Sequence, residues 1–168
     1  MGGYNYPSVY KEVAAVTVTD NRFPKLQNSI SKIEENDLSY ITEQYNNHVN
    51  VGTDNSNFNS SIYRNITVLR SDSVVFSYVS DTTILANNNG SSYQDELFYS
   101  AVSINPVTGE MIATSDVITD MDLFAQTALE EITPYFSIRN PLENYEEIFT
   151  TMLKNGEVAI GLQLDGVY

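Results

Sequence analysis

Residues 66–124 read ITVLRSDSVVFSYVSDTTILANNNGSSYQDELFYSAVSINPVTGEMIATSDVITDMDLF, and the order of apolar runs and turn formers in this stretch decides the fold. Val, Ile, Tyr, Phe and Thr crowd residues 62–70 and 73–80, which predicts two neighbouring strands, most simply an antiparallel pair. The polar run 87–92 predicts a loop, followed by a strand over residues 97–104. Asn105-Pro106-Val107-Thr108-Gly109-Glu110 then turns the chain into the short strand 111–113, with Gly109 supplying the positive φ that such a hairpin demands. No nucleophile with its base, no metal-ligand set and no phosphate-binding glycine run stands inside the stretch, so it announces a scaffold.

Upstream, VYKEVAAVTV over residues 9–18 ends with Ala14, Val16 and Val18 alternating against Ala15 and Thr17, the pattern of a half-buried strand. From Phe23, Pro24 suits a first helical turn, and Leu26, Ile30, Ile33, Ile41 and Tyr45 recur at helical spacing. Lys25, Lys32, Glu34, Glu35 and Glu43 are expected on the solvent side, with Asn36 and Asp37 as the weak point. Residues 50–61, NVGTDNSNFNSS, predict an exposed loop. Downstream, Thr119 or Asp120 caps a helix through MDLFAQTALEEI, whose end Pro134 disturbs. Asn140-Pro141-Leu142-Glu143 starts another, with Tyr145, Ile148, Phe149, Met152 and Leu153 facing inward and Gly156 closing it. VAIGLQL and the turn-like Asp165-Gly166 end the chain. The expected architecture is a single α+β domain over residues 9–168, a mainly antiparallel sheet with about three helices on one face. Residues 1–8 are expected to be a disordered or vector-derived start.

Composition fits one globular domain of 168 residues, with 42% hydrophobic residues, 12 tyrosines and no tryptophan. Twenty-two acidic side chains against 8 basic ones give a formal charge of -14. That field repels a phosphate backbone or an anionic membrane surface over about 8 Å at physiological salt, so nucleic acid is excluded as the expected partner. It favours a cationic partner, and it equally serves solubility. With no cysteine, disulfides and thiolate zinc are out of reach. No apolar run approaches the roughly 20 residues of a membrane-spanning helix.

His48 is the only histidine, and it is expected at the surface or a helix end rather than in a triad or a metal cluster. No serine stands in G-x-S-x-G or S-x-x-K, so neither a hydrolase nor any other enzyme is expected. Asp116, Asp120 and Asp122 offer the oxygens calcium prefers, but without the alternating ligands and closing Glu of a calcium loop. Helix capping explains Asp120 and Asp122 more simply, and no cofactor is called for. Asn59, Asn65 and Asn89 open N-x-S/T triplets, which matter only in a eukaryotic secretory route. Tyrosine joins a rigid apolar body to a polar tip and is enriched at recognition surfaces. The YQDELFY run therefore supplies the ligand-facing candidates: Tyr93, Asp95, Glu96 and Tyr99.

Taken together, Phe23, Pro24 and Leu26, then Asp72, Ser73 and Ser77, then Thr108, Gly109, Ser115 and Asp116 give an ordered set of short motifs. In that order the chain is similar to a bacterial extracytoplasmic domain of unknown function. That domain occurs in the lysozyme-sensing anti-sigma-V factor (RsiV) and ahead of the catalytic domain of PdaC-type peptidoglycan deacetylases. The resemblance spans about residues 9–168. It departs at NNNGSSYQDE, where the family carries a Gly-Gly-x-His-like turn, and at Tyr168, where family members continue through a Tyr-rich segment. The last strands are thus expected to be cut away or supplied from elsewhere. What the resemblance implies is a secreted or envelope-anchored, noncatalytic binding or sensing module for a protein such as lysozyme or for a wall ligand. The alternative it implies is an accessory domain that positions a peptidoglycan-modifying enzyme on glycan.

Overall fold

The computed structural model describes residues 8–55, 57–88, 91–139 and 145–154, with side chains described outside 91–95, 132–139, 145–146 and 154. The elements are β1 (Ser8–Val13), α1 (Pro24–Asp54), β2 (Phe58–Ser71), β3 (Phe76–Asn88), β4 (Ser91–Ile104), α2 (Thr114–Val117), α3 (Met121–Arg139) and α4 (Tyr145–Lys154). The sheet order is β1-β2-β3-β4, with β1 parallel to β2 and the other two pairs antiparallel. The α+β reading holds, and the parallel edge follows from α1, which carries the chain from one end of the sheet back to the other as a crossover. No helix among the described residues is long and apolar enough to cross a membrane.

Strand alternation divides the sheet into two faces. Phe58, Ile62, Tyr78, Ile84, Ala86, Val102 and Ile104 are buried on the face that α1 covers. Leu26 and Ile30 of α1 meet Phe76, Tyr78, Val102 and Ile104, while Ile41 farther along meets Ile62 and Ile84. Spacings of 4 and 15 residues from Leu26 keep Ile30 and Ile41 on one stripe of a 3.6-residue helix facing the sheet. Pro24 occupies the first turn as expected. Beyond β4, Gly109 takes φ +74° and sits against Lys25, whose carbonyl oxygen would lie 2.8 Å from an added Cβ. The turn that needs glycine for its backbone thus also needs it for its contact with α1.

Between the two apolar clusters lies a polar one. Arg64 of β2 is 2% exposed, and its guanidinium donates to both carboxylate oxygens of Glu34 on α1, at 2.7 and 3.0 Å. It also donates to Asp37 at 2.7 Å and to the carbonyl of Ala14 at 2.9 Å. Glu34 accepts further bonds from the Val16 amide and the Tyr78 hydroxyl, both at 3.1 Å. Burial pushes the Glu34 carboxyl up, but Arg64, the Val16 amide and Tyr78 outweigh it and hold the group below its usual range. At Asp37 burial wins over Arg64, and the carboxyl is raised. Every strong group of the cluster is matched, as burial of a charge requires.

Several expectations are corrected by this packing. Glu34 faces inward, not outward, because Arg64 waits for it across the sheet. The first strand ends at Val13, since Ala14 and Val16 turn their backbone groups to Arg64 and Glu34. The expected loop over 50–61 shrinks: α1 runs to Asp54 and β2 begins at Phe58, with Phe58 3% exposed. The polar run 87–92 is mostly strand, β3 reaching Asn88 and β4 starting at Ser91. The strand expected over 111–113 is one bridge, Met111 to Ile104. α3 continues through Pro134 to Arg139. Phe124 of α3 packs with Val75 at the sheet end, and α4 buries Leu153 but leaves Ile148 and Met152 exposed. The expected helix start at residues 140–143, Gly156 and VAIGLQL lie outside the described residues.

Removing one partner of the buried pair leaves the other charge stranded, so Arg64→Met or Glu34→Leu alone is expected to cost about 3–5 kcal/mol, with the double variant far less destabilised. Urea denaturation midpoints of the three variants measure this. Thr82 is fully buried and, among the described residues, its hydroxyl has no hydrogen-bond partner. Thr82→Val is accordingly expected to raise the midpoint, by about 1 kcal/mol of stability.

Candidate functional site

The second face of the sheet carries an unusual set of side chains. Register places Tyr63, Thr83 and Leu97 in one row and Asn65, Asp81 and Tyr99 in the next. Tyr10 of β1 joins from the edge, its ring centroid 5.9 Å from that of Tyr63. Tyr99 is 75% exposed, and Tyr10, Leu85 and Leu97 are also exposed. Alternation along LFY sends Leu97 and Tyr99 to this face and Phe98 to the α1 side, so β4 presents apolar groups in both directions.

On the α1 side, the Phe98 ring meets Tyr40 edge-on at 5.6 Å, and the Tyr40 hydroxyl donates to Glu96, two residues before Phe98 on β4. Tyr40, Glu96, Leu97 and Phe98 line a shallow depression over this edge. The hydrogen bond to the Glu96 carboxylate, helped by partial burial, pushes the Tyr40 hydroxyl up to about 12. The same theme recurs on β1, where the Tyr10 hydroxyl donates to Glu12 at 2.8 Å and is raised by it. Across β3, Tyr99 stands opposite Asp81, whose carboxylate accepts the Asn65 amide at 2.9 Å. Three exposed tyrosines therefore each have a carboxylate as neighbour. An aromatic face beside a carboxylate attracts ammonium and guanidinium groups by cation–π and charge-assisted hydrogen bonding together.

Of the expected ligand-facing residues, Glu96 and Tyr99 fall in this region on opposite faces of β4. Tyr93 and Asp95 have side chains outside the described residues. Their backbones lie in β4, where Ile84 pairs with Glu96 and Leu85 with Gln94, making Asp95 the bulged residue. Tyr40, Tyr10 and Leu85 were not among the candidates. Tyr40 is separated from Glu96 by 56 residues, and only the α1 crossover brings it there.

A second concavity, of about 350 Å³, lies where the start of α1 meets the turn between β2 and β3. Val18, Phe23, Leu26 and Phe76 give it apolar walls, and Thr19, Asp20, Arg22, Asp72 and Ser73 line it with polar groups. Arg22 donates from Nε and Nη2 to Asp20, at 2.6–3.0 Å. Those bonds, with the Arg22 amide, lower the Asp20 carboxyl to about 2. Asp72 accepts the Val74 and Val75 amides at 2.7 and 2.9 Å and Arg70 Nε at 2.6 Å. It too is lowered to about 2, chiefly by the Val75 amide and Arg70.

His48 is buried, not at the surface: its Nδ1 is 2.5 Å from the Ser60 hydroxyl and its ring meets Phe58 edge-on. Ser60 donates onward to the Leu85 carbonyl, so its proton is committed to the sheet and the pair latches α1 to β2. Asp116 accepts the Ala113 amide and Asp120 the Leu123 amide, which makes both helix caps. Among the described residues, no group of three or more His, Cys, Asp or Glu is placed to hold a metal ion. Comparison with protein-family models and with curated proteins gave no match to the chain.

Replacing Glu96 by Gln removes the charge that holds the Tyr40 proton, so the Tyr40 ionisation is expected to fall back toward the ordinary tyrosine value near 10. Because the folded value is the raised one, the contact stabilises the fold fully below about pH 10 and loses that contribution as pH rises through about 12. Ultraviolet tyrosinate titration of the parent, Glu96→Gln and Tyr40→Phe reads the shift.

Proposed function

We propose that the chain is a noncatalytic binding or sensing domain of a bacterial envelope protein, acting outside the cytoplasm and recognising a basic protein partner. The observation that carries the reading is the recurrence of exposed tyrosine beside carboxylate at Tyr10 with Glu12, Tyr40 with Glu96 and Tyr99 opposite Asp81. Such pairs accept Lys and Arg side chains, and a formal charge of -14 draws a basic protein toward them. The resemblance to the lysozyme-sensing domain supports the extracytoplasmic location and makes a lysozyme the sharpest version of the partner. Rigid aromatic groups with few rotatable bonds are also the usual anchors of interfaces.

Lysozyme, a basic protein, is the probe. The domain is expected to bind it at low salt and release it toward about 1 M salt, where the Debye length is about 3 Å. Tyr99→Ser combined with Leu97→Ser is expected to weaken binding about tenfold or more. Isothermal titration calorimetry measures both. Binding unaffected by the double change would move the interface off β4. Salt-insensitive retention on peptidoglycan, with no lysozyme binding, would favour the accessory glycan-positioning role instead.

A further inference from the structure

The concavity at the start of α1 differs in kind from the β4 surface. Phe98 and Ile104 are six residues apart on β4, about 20 Å along the strand, and Pro106, just past that end, lines the concavity. We infer that this cleft is a binding site for a neutral, hydroxyl-rich ligand of the saccharide class.

The pairing of its carboxylates argues against an ionic ligand. Two carboxylates, Asp20 and Asp72, line the cleft, and each is matched by a guanidinium two residues away in sequence. An anion entering the cleft meets both carboxylates, and a cation meets carboxylates already held by Arg22, in the lining, and by Arg70, outside it, so neither finds an unpaired opposite charge. A neutral polyol meets fixed acceptors and fixed donors and adds no charge of its own. The ion pairs hold these groups in place before a ligand arrives, which lowers the ordering cost of binding. Bidentate planar side chains match vicinal hydroxyls as they match carboxylate oxygens.

The donor count is sufficient. A guanidinium carries five N–H donors, and Asp20 takes the one on Nε and one on Nη2, leaving the Nη1 pair and the second Nη2 donor for a ligand. Thr17, Thr19, Ser71 and Ser73 add hydroxyls around the rim, each both donor and acceptor. Among the described residues no side-chain bond caps α1 at Phe23, whose ring lies under Arg22 with its centroid 5.6 Å from the guanidinium carbon. Phe23, Val18 and Leu26 supply the apolar wall that the C–H face of a sugar ring packs on. A volume of about 350 Å³ falls at the small end of ligand sites, fitting one or two sugar rings.

The test is a ¹H–¹⁵N titration of the whole chain with glucose, N-acetylglucosamine and cellobiose, each up to about 50 mM, where weak small-ligand affinities register. At least one sugar is expected to shift the amides of Thr19, Phe23 and Ser73 saturably. Arg22, with its side chain 81% exposed, can be changed without disturbing the core. Arg22→Ala and Thr19→Val are each expected to weaken binding about fivefold while the spectrum elsewhere stays unchanged. No cleft shift with any of the three sugars would overturn the inference. So would unaltered affinity in both variants, or stronger cleft shifts with calcium chloride or inorganic phosphate. None of these outcomes bears on lysozyme binding at β4.

Discussion

The bidentate contact between Arg64 and Glu34 is the constraint on which the other parts of the molecule depend. One guanidinium holds a carboxylate of α1, the Ala14 carbonyl at the exit of β1 and Asp37 nearly one turn farther along the helix. Glu34 in turn holds the Val16 amide and the Tyr78 hydroxyl of β3. Strand, crossover and helix therefore meet at one point. Hydrophobic burial of Leu26, Ile30 and Ile41 on either side of it supplies the driving force, which by itself is non-directional. A matched ion pair in a low-dielectric interior does not tolerate a slide of α1, because each stranded charge costs several kcal/mol against a total stability of about 5–15 kcal/mol.

That contact also explains what could be read from residues alone. The β2–β3 pair, the strand through residues 97–104, the Gly109 turn and the α1 stripe were legible, because each depends on local periodicity or on one backbone conformation. Glu34 was misplaced because helical spacing assigns it to the buried side only if a partner exists, and the partner stands 30 residues away on another element. His48 was misplaced for the same reason, its latch being Ser60 in a segment that composition alone makes a loop. Polar residues at 50–61 read as solvent-facing until their long-range hydrogen bonds are known.

The candidate surface was legible only in part. Tyr99 and Glu96 could be picked out as an aromatic and an acid on a strand. Their division between two faces follows from strand alternation, but the arrival of Tyr40 beside Glu96 follows from the length of α1 and its crossing of the sheet. The Asp20 and Asp72 pairs each have a sequence signal, an acid and an arginine two positions apart, yet nothing short of the fold brings the two together.

The bulge at Asp95 has a consequence for self-association. β4 is 14 residues long and outermost in the sheet of described strands, which would make it an open template for a second chain to add to. An unpaired residue in its first half breaks the regular spacing of amides and carbonyls and increases the local twist. A second copy approaching edge to edge would find its ladder out of phase there and would bring a further charge of -14 with it. The bulge thereby works against edge-to-edge pairing of identical molecules along a strand whose Leu97 and Tyr99 are exposed.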